Sequence, residues 1–189
     1  MTLNVCDVSE NHLSHLKDVW LPFAEKNEYL PTSTYERGIR WINDLYEGNV
    51  DTQATPMAVI DSESNVLGVF DLIHVHPLSQ GGYLKILNIV LQPQVDLALL
   101  ENDQDSEDQE DWFSLTHKIS EIVSTCFQYA ISRLSKEAQV DRVKVYSSDK
   151  VTSKLLKDAF VNLPDDQLRS YGFESHAYGN WIELRQVKN

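Results

Sequence analysis

The chain has 189 residues, of which 42% are hydrophobic, and its 16 basic and 29 acidic side chains give a formal charge of −13. This length and composition fit one globular domain that buries its own core, so we expect a single domain over residues 1–189. A surface this acidic repels the phosphates of nucleic acids and of anionic lipids. It excludes both as partners and favours a basic one.

Cysteine content and the N-terminal sequence bear on the compartment. Cys6 and Cys126 are the only cysteines, too few for a disulfide framework or a cysteine zinc site. Residues 1–10 have neither the basic nor the apolar region of a signal peptide, and no run approaches 18 uninterrupted apolar residues. We expect a cytoplasmic protein that does not enter a membrane.

The first elements predicted along the chain are a short extended segment and two helices. Ser9 begins a helix that runs to about Phe23, with apolar residues recurring at intervals of three and four. Ser33 and Glu36 have the spacing of a capping box at the start of the second helix. Gly48 stands where a left-handed residue would end that helix.

The central part of the chain changes to short β-rich runs. Residues 57–60, 66–76 and 83–91 are separated by turn sequences and predict three strands of an antiparallel meander. Residues 115–134 keep helical spacing of apolar side chains over about five turns, and residues 140–146 then read as a strand.

A helix at residues 152–160 and two strands around Gly179 complete the predicted order, which is β, α, α, β, β, β, α, β, α, β, β. Between the meander and the long helix, residues 94–112 form an acidic insertion or disordered loop. It contains eight acids and no Lys or Arg: Asp96, Glu101, Asp103, Asp105, Glu107, Asp108, Glu110 and Asp111.

Three short sequences accompany this order of elements. The opening residues 3–9 precede a helix containing Asp18-Val-Trp20, Leu91-Gln-Pro closes the third meander strand, and Tyr171-Gly-Phe-Glu precedes the last strands. Together these features resemble the GNAT superfamily of N-acyltransferases. The resemblance implies an α/β fold with a mixed, mostly antiparallel central sheet and helices on both faces.

The resemblance also implies transfer of an acyl group from acetyl-CoA or another acyl-CoA to an amine. It assigns cofactor binding to strand-edge amides at Ile89, Val90 and Leu91, and to Ser148 after the next strand. The chain departs from the family at residues 94–112. There the Gln/Arg-x-x-Gly-x-Gly/Ala sequence that binds the pyrophosphate of coenzyme A is missing, and acids stand in its place.

Catalytic and substrate-binding residues follow from the same resemblance. Tyr171, beside the Gly-Phe pair, is the candidate general acid, and Asn88 is the candidate on the fourth strand of the family. Trp20, Tyr29 and Tyr35 belong to a group of aromatic residues in and between the first two helices, where the family places its acceptor cleft. They are candidates for binding an aromatic or cationic group or for packing in the core.

Two alternatives stay open from the sequence. The chain is either an acyltransferase that acts on an amine of unknown identity, with a small-molecule amine or a basic protein as its partner, or an inactive binding or regulatory protein whose acidic loop meets a basic partner. His74 and His76 share one face of a strand, but the spacing marks no third ligand, so no metal site is predicted. Nothing in the sequence predicts the oligomeric state.

Overall fold

The computed structural model describes residues 2–76, 82–96, 109–134, 140–146, 169 and 172–187, with side chains from residue 113 onward in the long helix. The chain divides into two compact units. The first comprises Met1–Asp71 and Ile89–Phe127, and the second comprises Leu72–Asn88 and Gln128–Asn189. The single domain expected from the length stays a prediction.

The described elements occur in the following order. Strand β1 (Asn4–Asp7) leads into a continuous helical segment made of α1 (Glu10–His15), a π-helical stretch (Leu16–Trp20) and α2 (Leu21–Lys26). Then come α3 (Thr32–Tyr46), β2 (Ala54–Ile60), β3 (Val66–Val75), β4 (Gly82–Ile86), β5 (Ile89–Leu91), a 3₁₀ turn (Pro93–Val95), α4 (Gln109–Leu134), β6 (Val140–Tyr146), β7 (Phe173–Tyr178) and β8 (Trp181–Gln186).

The strands form a mixed, mostly antiparallel sheet, which confirms the fold class predicted from the sequence. In the first unit β1 pairs with β2, β2 neighbours β3, and β5 pairs with the first half of β3. In the second unit the end of β3 pairs with β4, and β8 pairs with both β6 and β7. Among the described pairs, only β4 with β6 is parallel.

Each unit has its own apolar packing. In the first unit, Leu16, Trp20 and Ile42 from the helices are fully buried in one cluster with Val69 of β3. In the second unit, alternate residues of β4, β6 and β8 form a buried apolar face, as the two-residue period of a strand requires. Its members are Leu84, Ile86, Val143, Val145, Ile182 and Leu184.

The starts of the first two helices agree with the sequence to different degrees. Ser9 caps α1 as predicted, since its Oγ accepts a hydrogen bond from the His12 amide. The capping box predicted at Ser33 is wrong. The helix begins at Thr32 after Pro31, which makes no side-chain capping hydrogen bond because proline has no polar side chain. Gly48 has the predicted left-handed conformation, with φ at 70°.

The third strand of the predicted meander, residues 83–91, is two strands in the structure. Ile73 pairs with Lys85 and Phe70 pairs with Ile89, so the run gains one residue against β3 between β4 and β5. Such a one-residue β-bulge bends the strand and interrupts its ladder. Asn88 marks the break in the sequence, because strict alternation from Leu84 and Ile86 would place this polar residue on the buried face.

Both borders of the predicted acidic loop at residues 94–112 are regular structure. The 3₁₀ turn extends to Val95, and α4 begins at Gln109, six residues earlier than the apolar pattern predicted. Residues 97–108 and the helix predicted at residues 152–160 lie outside the described residues. Within the described parts of the chain, no helix has the length and apolar character needed to cross a membrane.

Candidate functional site

Strand β5 has one edge toward β3 and an opposite edge that we call the outer edge of β5. The amide of Gln92 donates to the carbonyl of Leu67 at 3.0 Å. Hydrogen-bonded pairs alternate along an antiparallel ladder, so Val90 also directs its backbone groups toward β3. The N–H and C=O groups of Ile89 and Leu91 therefore point to the outer edge, and no other described strand pairs with β5.

Helix α3 packs closely against β5. A Cβ atom built on Gly38 would lie 2.6 Å from Cγ2 of Val90, so only glycine allows this approach without a shift. Tyr35 lies three residues earlier on the same face of α3, and its ring belongs to a small cluster against which Val90 packs. Helix α3 therefore packs on β5 at Val90, the middle residue of the strand.

Tyr35 also binds the segment that follows β5. Its side chain is buried, and its hydroxyl donates a 2.5 Å hydrogen bond to Oδ2 of Asp96. Burial, together with this hydrogen bond and the charge of Asp96, raises the pKa of Tyr35 far above its usual value. Tyr35 therefore stays protonated and acts as a donor.

Two amides of the segment after β5 donate hydrogen bonds within the segment itself. Within the 3₁₀ turn, the Val95 amide donates to the carbonyl of Gln92 at 3.0 Å, and the Asp96 amide donates to the carbonyl of Pro93 at 3.1 Å. Pro93 itself has no N–H. The described residues after β5 therefore offer no cradle of amides for a diphosphate, and the Asp96 carboxylate would repel one.

A carboxylate inside strand β3 was missed by the sequence interpretation. Asp71 is fully buried, and its Oδ2 accepts a 2.8 Å hydrogen bond from Nε1 of Trp41 on α3. A charged residue within the otherwise apolar run of residues 66–73 was the available signal. A buried charge is retained in a fold only when it is paired or hydrogen-bonded.

The three aromatic candidates for acceptor binding occupy different environments. Trp20 is fully buried at the end of the π-helical stretch, and its Nε1 has no hydrogen-bond partner among the described residues. Tyr29, between α2 and α3, is 53% exposed, whereas Tyr35 is engaged with Asp96 as above. Of the three, Tyr29 is the one that solvent reaches, and the binding role of all three stays a prediction.

Of the catalytic candidates and the remaining cofactor candidate, only Asn88 lies among the described residues. Asn88 is exposed in the short link between β4 and β5, directly before the outer edge. Tyr171 and Ser148 lie outside the described residues, so their roles also stay predictions. The rings of His74 and His76 are 6.2 Å apart, and no group of three His, Cys, Asp or Glu suited to a metal ion occurs in the part of the chain that is described.

A second polar cluster lies on the other face of the sheet in the second unit. Glu183 is buried there and is held by Lys144 Nζ at 3.1 Å, by Arg185 Nη2 at 2.7 Å and by the hydroxyl of Tyr178 at 3.3 Å. The ammonium of Lys144 also lies 4.6 Å from the ring centroid of Tyr83. The cations, the carboxylate and the rings thus contact one another in one network, in which Nε of Arg185 is buried without a hydrogen-bond partner among the described residues.

The ionisation of this network follows from its geometry. Burial alone would raise the pKa of Glu183, but the hydrogen bonds and charges of Lys144 and Arg185 outweigh it and lower the pKa. Burial alone would lower the pKa of Lys144, but its hydrogen bonds to Tyr178 and Glu183 outweigh it and raise the pKa. Both groups are therefore charged at neutral pH.

Comparison with known proteins gives structural similarity only. No protein-family model and no curated protein matches the chain. One similar solved structure is described as histone acetyltransferase HPA2 and related acetyltransferase from Corynebacterium glutamicum. It is 10% identical to this chain, the match covers 100% of this chain and 98% of that chain, and the TM-score is 0.49. A chimera of the spermidine N-acetyltransferase SpeG from Vibrio cholerae and hSSAT has 10% identity, coverages of 99% and 95%, and a TM-score of 0.47.

A transcriptional regulator from Bacillus halodurans is similar to the same degree, with 14% identity, coverages of 94% and 97%, and a TM-score of 0.46. Similarities of this size carry no argument about the family or the activity of this chain.

Proposed function

We propose that this chain is an N-acyltransferase of the GNAT kind, which transfers an acyl group from acetyl-CoA or another acyl-CoA to an amine. One observation carries the proposal: the backbone groups of Ile89 and Leu91 point to the outer edge of β5. Alternating donors and acceptors on a strand edge suit an extended ligand that carries amides, as in the addition of a strand to a sheet. The pantetheine arm of coenzyme A is such a ligand.

The order of the described elements supports the same proposal, because it follows the order on which the family resemblance rests except that the third strand of the meander is divided in two. The helix predicted at residues 152–160 lies outside the described residues. The described residues after β5 do not suit a diphosphate, as Val95 and Asp96 use their amides within the turn. We therefore assign the outer edge of β5 to the amide-bearing arm of acyl-CoA. We assign none of the described residues to its diphosphate.

The acceptor that we propose is a cationic amine. The formal charge of −13 attracts cations and raises their concentration at the surface. Tyr29 is the aromatic candidate that an amine can reach from solvent, and its ring can hold an ammonium group by a cation–π contact. A small-molecule amine and a basic protein both meet this description.

In the proposed reaction, the bound ammonium group first loses a proton to water. Its neutral nitrogen then bonds to the acyl carbon, the carbon–sulfur bond breaks, and the leaving thiolate takes a proton from Tyr171. The proton that the amine nitrogen loses on bond formation passes through water to restore Tyr171. Holding the two reactants together supplies much of the acceleration in such a step. The amide side chain of Asn88 does not act as an acid or a base at neutral pH, so its proposed role is to orient a reactant by hydrogen bonding. Tyr171 is the proposed donor to the thiolate.

A proline substitution tests whether the outer edge of β5 binds acyl-CoA. Leu91→Pro removes the amide that points to the outer edge and leaves the Val90 and Gln92 bonds to β3 in place, whereas Leu91→Ala shortens the same side chain and keeps that amide. We expect calorimetric titration with acetyl-CoA to show binding to the wild type and to Leu91→Ala. Binding should be at least tenfold weaker for Leu91→Pro, as expected for a lost backbone hydrogen bond and a disturbed edge.

The result has clear consequences for the alternatives. Equal binding by Leu91→Pro and Leu91→Ala, with both folded by circular dichroism, would contradict the assignment of the outer edge. Absence of acetyl-CoA binding to the wild type, and of thiol release with a panel of polyamines and basic peptides, would contradict the acyltransferase itself. The inactive binding protein would then be the better description.

A further inference from the structure

Helix α3 holds the chain on and after β5 at two points. Gly38 lets the helix approach Val90 in the middle of the strand, and Tyr35 binds Asp96 beyond its end. These two helical residues are three apart and face the same side of α3. The same helix face therefore restrains both β5 and the turn that follows it.

A chain of hydrogen bonds links Asp96 back to the strand. The Asp96 amide donates to Pro93, the Val95 amide donates to Gln92, and the Gln92 amide donates to Leu67 of β3. This segment has little freedom to move without breaking one of these bonds. A restraint on the Asp96 carboxylate is therefore transmitted to the end of β5, where Leu91 presents its backbone to the outer edge.

The Tyr35 hydroxyl is poorly placed to contact a ligand directly. The side chain is only 4% exposed, and its hydroxyl proton is used by Asp96. A direct contact with substrate would break a hydrogen bond to a carboxylate inside a packed cluster. Such charge-assisted bonds are among the stronger ones in proteins.

We propose that Tyr35 is a positioning residue that acts through Asp96 to hold the outer edge of β5 in its ligand-binding conformation. This inference rests on the proposed function, since it assumes that the edge binds acyl-CoA. It changes the expectation for Tyr35, which the sequence placed at the acceptor side. Tyr35 affects the acyl-CoA side of the reaction and leaves the recognition of the amine unchanged.

The test uses four variants of the full chain. Tyr35→Phe removes the hydroxyl and keeps the ring, Asp96→Ala removes the acceptor, and Asp96→Asn keeps an acceptor oxygen. Tyr46→Phe is the matched control, because Tyr46 lies on the same helix and is 44% exposed. Thermal melting confirms that each variant is folded before it is compared.

The first readout is binding and kinetics with acetyl-CoA. We expect Tyr35→Phe to raise the dissociation constant and KM for acetyl-CoA about tenfold, the size of one hydrogen bond to a charged group. Asp96→Ala should raise both by a smaller factor, because it also removes a charge that repels the diphosphate. The kcat at saturation and the KM for the amine should not change. Asp96→Asn should restore most of the affinity, and the double variant Tyr35→Phe/Asp96→Ala should be no worse than either single variant.

The second readout needs no activity. Hydrogen exchange of the amides of Gln92, Val95 and Asp96 should become about tenfold faster in Tyr35→Phe, while amides of β1 and β2 keep their rates. Unchanged exchange in this segment, or an additive double variant, would overturn the inference. Wild-type protein that fails to bind acetyl-CoA would instead contradict the proposed function, and the exchange experiment would still decide whether Tyr35 restrains β5.

Discussion

The indole Nε1 of Trp41 lies 2.8 Å from Oδ2 of Asp71, a carboxylate that no solvent reaches. Replacing Trp41 by Phe keeps an aromatic ring and removes this donor. We expect the free energy of unfolding in urea to fall by about 1–3 kcal/mol, the cost of removing a donor from a buried acceptor. Tyr46→Phe, an exposed aromatic change on the same helix, should alter it by less than about 0.5 kcal/mol. Equal effects of the two changes would show that the hydrogen bond does not contribute.

The approach of α3 to β5 predicts a stability effect with a compensating change. In Gly38→Ala the new methyl group meets Cγ2 of Val90 at 2.6 Å, and the β-branched valine cannot easily turn away. We expect a loss of about 1–3 kcal/mol from overpacking, although alanine favours the helix itself. Adding Val90→Ala should recover part of this loss, as measured by urea unfolding of the two single variants and the double variant. Strictly additive effects would contradict the contact.

The Glu183 network predicts how stability depends on pH. The pKa of Glu183 is below its ordinary value of 4.5, so its contribution is complete above that pH and is lost as the pH falls below it. The pKa of Lys144 is above its ordinary value of 10.5, so its contribution is complete below that pH and is lost as the pH rises above it.

Glu183→Gln should therefore lower the free energy of unfolding by about 1–3 kcal/mol at pH 7 and flatten its decline in acid. The matched control is Glu174→Gln, whose carboxylate is 34% exposed and 3.9 Å from Arg185. That variant should cost less than about 0.5 kcal/mol, as exposed ion pairs do. Both variants are measured by urea unfolding between about pH 3 and 8, a range that extends roughly one unit below the ordinary pKa of a carboxyl group. A parallel acid decline in Glu183→Gln and wild type would contradict the role of this carboxylate.

The start of α1 predicts a second pH effect nearer neutrality. His12 Nδ1 accepts a 3.2 Å hydrogen bond from the Ser9 amide, which requires the neutral ring. Burial, with a smaller effect of His15, lowers the pKa of His12 below its ordinary value of 6.5. Its contribution is therefore complete above pH 6.5 and is lost as the pH falls toward its folded pKa.

His12→Gln keeps a capping acceptor but does not titrate, so its melting temperature should fall less than that of the wild type between about pH 7 and 5, the range around an ordinary histidine pKa. His76→Gln, at an exposed histidine outside any cap, should follow the wild type. Identical pH profiles for His12→Gln and the wild type would show that the cap does not depend on the charge of the ring.

Local patterns predicted much of the fold. Ser9 as a cap, the left-handed Gly48, the turn at Gly179 and the strand at residues 140–146 all follow from side-chain chemistry or from spacing within a few residues. The break between β4 and β5 does not, because it arises from registers set by separate pairings with β3. Asn88 is the one local sign of the break, because an uninterrupted strand would bury this polar side chain on the face of Leu84 and Ile86.

Only part of the candidate site was predicted, because its remaining features also depend on contacts between residues that are distant in the sequence. The sequence predicts strand-edge amides at residues 89–91, but only the ladder with β3 shows which of them point outward. The pairing of Tyr35 with Asp96 joins residues 61 positions apart, and that of Trp41 with Asp71 joins residues 30 apart. Contacts made at such distances along the chain leave no spacing pattern, so the side-chain partners appear only in the fold.

The outward-facing main chain of β5 also bears on how such a protein could diverge. Every amino acid except proline supplies the same N–H and C=O, so drift can replace the side chains at these positions while the main-chain groups on the outer edge stay the same. A relationship between two such proteins would then be kept in the path of the backbone, and a comparison of their amino-acid sequences alone would not detect it.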